Sequence, residues 1–202
     1  MTNQEVINWL FQLKSLDFIP DSQFKYSNSG YIILSQIIEK VSGKSYSIFI
    51  NDRIIIPLKM NNTYVYEPDT VIQNKAFGYN KQQKPDDYSI LTTGDGGIYS
   101  NSEDLYKFDQ ALRNNTLINK ENTTLMYTPS KLSGGQVSNY GFAWYLEENK
   151  NEKIAMHTGG LNGFKALFWR DLEHNSCIIT LTNQGDTFPL DQFLHDIKKT
   201  IQ

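Results

Sequence analysis

The chain has 202 residues, the length of one ordinary domain, and 39% hydrophobic against 20% charged residues gives it material for a core and excludes compositional disorder. Nineteen Lys and Arg face 22 Asp and Glu, a formal charge of -3, too even for the clustered cation of a broad nucleic-acid footprint. A single cysteine, Cys177, excludes an internal disulfide framework and a Cys-based zinc cage.

Met1–Glu5 has none of the basic character of a secretory signal, so no compartment is implied. The longest apolar runs, such as Tyr31–Leu34 and Ile54–Ile56, are too short to span a bilayer. Thr2 and Glu5 have capping-box spacing, and Val6, Trp9, Leu10 and Leu13 recur at helical intervals, so the chain opens on a helix. Pro20-Asp21 marks a turn. A second helix follows Tyr26-Ser27-Asn28, with Leu34, Ile37, Ile38 and Val41 as its apolar face and Gly43 as its cap. A third runs from Tyr46 to Ile56 and stops at Pro57. Residues 60–100 read as loop, with Asp86-Asp87 solvated. A fourth helix starts at Asn101 or Ser102 and buries Leu105, Phe108 and Leu112; a short fifth spans Lys120–Met126.

Beyond Gly134-Gly135 the texture changes to short aromatic and β-branched runs: Phe142–Leu146, Lys153–Met156, Phe164–Trp169 and Cys177–Thr182. Asp171–Asn175 has hairpin length, and Leu190, Phe193, Leu194 and Ile197 form a closing amphipathic helix. The expected fold class is α+β, with helices packed on an antiparallel sheet: residues 1–133 helical and loop-rich, residues 134–202 strands plus a last helix. Cys177 reads as a small core residue, and Trp9, Trp144 and Trp169 fit buried faces. His174 and His195 lack ligand partners at metal spacing, so no metal or other cofactor is expected.

Two Tyr-x-Asn triplets occur, Tyr26-Ser27-Asn28 and Tyr99-Ser100-Asn101. The second runs into Ser102-Glu103-Asp104 and reads as a helix cap. At the first, Asn28 or Ser29 caps the following helix, or the loop presents the Tyr26 hydroxyl and Asn28 amide to a cleft. His157-Thr158-Gly159-Gly160 ends an expected strand; either it is a turn with an incidental His, or its glycines let a ligand approach the backbone.

Together these segments carry a resemblance. Phe24–Tyr31, continuing through Ile38–Gly43 to Pro57–Thr63, then Gly96–Ser100 leading to Asp104-Leu105, and finally His157–Gly160 with Gly163-Phe164 resemble the serine β-lactamase and penicillin-binding protein-like family, class C branch. The His at 157, where β-lactamases of that branch carry Lys, is more similar to its DD-peptidases and esterases. The resemblance implies a β-lactamase/transpeptidase-like fold and acyl transfer through a covalent acyl-serine to an amide, ester or D-amino-acid peptide. It implies that Tyr26 moves the proton and therefore needs nearby positive charge, its unperturbed pKa being about 10. Asn28 would hydrogen-bond the substrate. His157, Thr158 and Gly159 would orient a carboxylate or polar tail, and the Gly160 N–H would serve an oxyanion hole. The reading requires Tyr26 and His157 to line opposite walls of one groove.

The family's nucleophile stands in a Ser-x-x-Lys well upstream of the Tyr motif. The single Ser-x-x-Lys in this sequence, Ser22–Lys25, abuts Tyr26 and belongs to the turn before it. The chain is accordingly expected to be the C-terminal portion of one β-lactamase-like domain, or half of a split assembly, inactive alone and with apolar faces lacking their cover. Its expected partners are a small-molecule or peptide substrate and the missing N-terminal part, with no nucleic acid. The alternative is a non-catalytic peptide- or cell-wall-binding protein with a degenerate hydrolase cleft.

Overall fold

The computed structural model describes residues 1–87, 90–149 and 152–201. The Thr2 hydroxyl and the Glu5 carboxylate close a reciprocal capping box on α1 (Asn3–Leu10). Helix α2 spans Asn28–Ser42; the Ser27 hydroxyl accepts the Gly30 N–H, and Gly43 ends the helix in a left-handed cap. The cap is therefore Ser27, neither Asn28 nor Ser29, because Ser27 is the extended residue ahead of the first turn. The expected third helix is α-helical over Tyr46–Ile50 (α3) and widens to a π-turn over Asn51–Ile55. A two-residue ladder pairs β1 (Tyr64–Val65) with β2 (Ile98–Tyr99), bracketing the loop-rich stretch. Helices α4 (Ser102–Arg113, capped by Asn101) and α5 (Lys120–Met126) stand where the sequence puts them.

The sheet is antiparallel in the order β3-β4-β5-β6, formed by Tyr145–Glu148, Lys153–Leu161, Phe164–Asp171 and Ser176–Thr182. On one face Ile154, Leu167, Trp169 and Ile178 pack against Leu190, Leu194 and Ile197 of α6 (Leu190–Ile201). On the other, Ala155 and Phe168 meet Leu112 and Phe108 of α4 together with Trp144. A third cluster of Ile50, Ile55, Met60 and Val65 fixes the helical part. No helix among the described residues is long and apolar enough to cross a membrane.

Several expectations change in three dimensions. Residues 142–144 are not strand: Ala143 is left-handed (φ 65) and Gly141 N–H bonds Trp144 O, so a tight turn precedes β3. Strand β4 does not stop at Met156 but continues through Leu161, paired throughout with β5. The α2 face expected inside is outside: Leu34 and Ile37 are 50% exposed and Val41 83%, whereas Ile32 and Ser35 are buried. Trp9 is 55% exposed, and Leu13 lies beyond α1 in an exposed stretch with Phe11, Leu16 and Ile19. Cys177 is only half-buried. His174 has a carboxylate partner after all, Asp171, at 2.9 Å. On α4, Leu105 and Phe108 are half-buried, and the fully buried polar positions are Asp104 and Asp109.

Asp104 shows why a carboxylate tolerates that position. Its oxygens accept the Asn62 N–H (2.7 Å), the Thr63 hydroxyl (3.1 Å) and Lys107 Nζ (2.7 Å). Burial pushes the carboxyl up, but these bonds outweigh it and hold it below its ordinary 3.8. A depressed folded pKa contributes stability that is present above the unfolded value and lost as pH falls through the folded one. Melting curves in acid are expected to show an extra loss of stability below about pH 4, a component that Asp104→Asn removes.

One glycine contact closes the far end of the sheet. Gly163 turns the chain from β4 to β5 at φ +72, and a Cβ there would meet Asp86 O at 2.4 Å and Gly78 Cα at 2.6 Å. Tyr79 N–H donates to Asn183 O just past β6 and Asp86 N–H to Gly78 O, so the 77–87 segment against which Gly163 packs is closed on itself and tied to the sheet end. Gly163→Ala is expected to lose about 1–2 kcal/mol to the left-handed backbone alone, with the backbone clash added. That corresponds to a fall of at least roughly 2–8 °C in melting temperature, whereas an alanine at Gly134, whose Cβ position is open, leaves it unchanged.

Candidate active site

The sequence motifs meet at one cavity of about 1130 Å³, lined by Tyr26, Asn28, His157, Thr158, Gly159 and Gly160 among others. The N-terminus of α2 places the first pair. With Ser27 holding the helix start, Tyr26 stays in the extended segment before it and Asn28 opens the first turn. Strand β4 places the rest. Its first four residues, Lys153–Met156, pair with β3, but His157–Leu161 pair with β5 alone, so among the described residues this stretch has an open edge. Apart from its own chain neighbours, no described atom lies within 4 Å of where a Cβ on Gly160 would stand.

The Tyr26 and His157 rings lie 5.8 Å apart, in contact and not across an open groove. Tyr140 and Tyr145 complete an aromatic surround, with ring centres 6.1 and 5.5 Å from the imidazole. His157 Nδ1 is 2.7 Å from Thr158 O, and Nε2 is 3.1 Å from the Tyr140 hydroxyl. A carbonyl only accepts, so Nδ1 carries the proton and Nε2 accepts from Tyr140. Burial first, then the neighbouring Tyr31, push the Tyr140 phenol far up, which keeps that donor protonated. Both imidazole nitrogens are thus engaged within the chain. Tyr140 escaped the sequence reading because it lies in no motif; its single local signal was the Gly-flanked aromatic run before β3.

Tyr26 is likewise pushed above its ordinary value of 10.0, by burial first and then by Tyr145, Tyr31 and Asp95. Among the described residues no cation is one of the groups acting on it. The two lysines at the cavity are engaged elsewhere: Lys75 with Asp87 at 2.7 Å and Lys165 with Asp186 at 3.1 Å. Asp87 is therefore an ion-pair partner of a cavity lysine and not a free loop carboxylate. Ser22 and Lys25 do not form a nucleophilic pair, since the Ser22 hydroxyl donates to Ile19 O and Lys25 pairs with Asp17 at 2.6 Å. Tyr99-Ser100-Asn101 behaves as a cap, Asn101 Oδ1 accepting the Asp104 N–H.

The loop between these motifs is held rigidly. Asn3 Nδ2 donates to Ser35 Oγ and to Thr93, and Asn3 Oδ1 accepts the Thr93 N–H at 2.8 Å. Gly94 (φ +97) passes so close to α2 that a Cβ would strike Tyr31 O at 2.5 Å. Helices α1 and α2 thereby fix Asp95 at the cavity that Tyr26 and Asn28 also line.

Residues 5–198 match the family model described as Beta-lactamase. The chain is 32% identical over 210 residues to penicillin-binding protein 4* of Bacillus subtilis (strain 168), an alignment covering 94% of this chain and 46% of that protein. Among solved structures, the octameric penicillin-binding protein homologue from Pyrococcus abyssi superimposes with a TM-score of 0.77 at 30% identity, covering 91% of this chain and 44% of that one. The D-amino acid amidase of Ochrobactrum anthropi SV3 does so with a TM-score of 0.78 at 25% identity, covering 97% and 64%. The chain thus spans less than two thirds of the length of each.

Proposed function

The chain belongs to the beta-lactamase family, and from that premise we propose that it supplies the substrate-binding half of a serine acyl-transfer site, completed by a segment bearing Ser-x-x-Lys. The observation that carries this reading is the convergence of Tyr26, Asn28 and the His157–Gly160 stretch on one cavity. The reaction is hydrolysis of an amide, ester or D-amino-acid peptide through an acyl-serine. Tyr26 relays the proton from the serine to the leaving group. The Asn28 amide and the open edge of β4 hold the substrate backbone, an extended peptide adding to that edge as a further strand. The Gly160 N–H is one of the two donors to the developing oxyanion.

Two features support a missing contribution. Burial, Tyr145, Tyr31 and Asp95 all push Tyr26 away from the phenolate, so a cation brought in beside it would favour its acting as a base. The exposed apolar stripe of Ile33, Leu34, Ile37 and Val41 on α2, together with Trp9, Phe11 and Leu16, exceeds scattered surface hydrophobes and marks a face that a partner covers.

The test treats the purified 202-residue chain with a fluorescent penicillin and an activated ester, alone and after co-expression with the sequence encoded immediately upstream. The expected result is no covalent adduct and strong binding of an apolar dye for the chain alone, then covalent labelling and loss of dye binding for the pair. Reversible ligand binding without mass gain in both preparations overturns the catalytic reading in favour of a binding protein.

A further inference from the structure

The cavity holds four charged or ionisable groups besides its tyrosines: Lys75, Lys165, His157 and Asp95. The first two are in ion pairs, and both nitrogens of the third are hydrogen-bonded. Asp95 differs. Its Oδ2 accepts the Thr92 hydroxyl at 3.3 Å, while Oδ1 is buried with no hydrogen-bond partner among the described residues. A buried carboxylate oxygen without a donor is unfavourable, and a partner arriving from elsewhere is one of the arrangements that satisfies it, beside a bound water or ion. The loop carrying it cannot relax away, because Asn3, Ser35 and Thr93 are cross-bonded and Gly94 is pressed against α2.

We propose that Asp95 is the seat of a primary ammonium group, held between its unpaired oxygen and the phenol of Tyr26. The chemistry selects that cation. A guanidinium binds carboxylates with two parallel bonds, but Oδ2 is already occupied by Thr92, leaving a single acceptor suited to a compact point charge. A calcium ion asks for six or more oxygens, which one carboxylate cannot supply. The electrostatics agree, since Asp95 acts on Tyr26 to hold its proton, and an ammonium lodged between them reverses that influence.

The seat deepens the acyl-transfer reading and rests on it for the identity of the visitor. The ammonium is either the lysine of the completing Ser-x-x-Lys segment or the free amino group of an amino-acid amide or peptide substrate. Either way, Asp95 is a positioning residue that couples cation binding to the proton state of Tyr26.

The experiment follows the melting temperature of the 202-residue chain in n-butylammonium chloride, which imitates a lysine side chain, and in D-alaninamide hydrochloride, which carries an α-ammonium. Tetramethylammonium chloride of equal concentration, which has no N–H, is the control. Both primary ammonium salts are expected to raise the melting temperature above the control, and Asp95→Asn is expected to abolish the difference. Asp95→Asn alone is expected to melt higher than the parent by roughly 2–4 °C, because an unpaired charge has been removed; a purely structural carboxylate would shift it the other way. Tighter binding of n-butylammonium assigns the seat to the lysine, and tighter binding of D-alaninamide assigns it to the substrate. Equal shifts in all three salts, or an Asp95→Asn chain that melts lower or fails to fold, overturn the proposal. None of these readouts involves acylation, so a failure here leaves the labelling experiment to judge the catalytic reading, and the reverse.

Discussion

Asp109→Ala is expected to lower the unfolding free energy of the chain by about 3–5 kcal/mol, out of a total that for a domain is of order 5–15 kcal/mol. Asp109 and Arg170 are each 1% exposed by side chain and meet at 2.6 Å, while Arg113 takes the second carboxylate oxygen at 2.7 Å. Arg170 also donates to the Tyr127 hydroxyl and lies over the Trp144 ring at 5.3 Å; Arg113 donates to the carbonyls of Asp171 and Ser176. The carboxylate is the one anion that both guanidinium groups share, so its removal leaves positive charge buried between α4 and the sheet. Denaturant midpoints measure the loss. Because the penalty lies in the stranded charge and not in the pair's own attraction, Asp109→Leu combined with Arg170→Met should recover part of it, the share left being that of Arg113 without its anion. A single-variant loss below about 1 kcal/mol, the range of an exposed ion pair, would show that water reaches the cluster.

Tyr26→Phe is expected to reduce acylation by the completed enzyme about 10²–10⁴-fold, the usual contribution of a positioned proton-transfer group, with KM for an activated ester little changed. Phenylalanine fills the same packing role: Tyr26 is 41% exposed and its ring contacts are with Tyr140 and His157. A structural role would therefore leave kcat intact. The same group offers a second measurement. In the isolated chain Tyr26 should titrate above 10.0, and completion of the site should bring it down as the cation arrives. Full acylation by the Phe variant would remove Tyr26 from the mechanism and with it the principal reason for reading this cavity as catalytic.

Element positions were largely legible because their signals are local. Caps at Thr2 and Asn101, the glycine after α2 and the aromatic runs of the sheet each act within a few residues, whereas the α2 cap fell on Ser27, just ahead of the expected Asn28 or Ser29. Which side of an element faces inward was less so. Helix α2 carries Ile32, Ile33, Leu34, Ile37 and Ile38 in near succession, so it is apolar over most of its circumference, and periodicity cannot choose between the face of Ile32 and that of Leu34. The neighbours α1 and the 92–94 loop make that choice. Asp109 was visible as a carboxylate on the expected Leu105–Leu112 stripe, a contradiction that points to a buried cation, but its partner lies 61 residues away on β5.

The sequence by itself determined the chemistry on offer, because motif residues such as Tyr26, Asn28 and His157 are recognised by type and order along the chain. Only the tertiary structure decided how they are used. The partner of His157 Nε2 is Tyr140, 17 residues away, the proton affinity of Tyr26 is raised by burial and by Tyr145, Tyr31 and Asp95, and no described residue offers a donor to Asp95 Oδ1. Each is set by distances between atoms remote in sequence, over which hydrogen bonding and desolvation act and local pattern has no say.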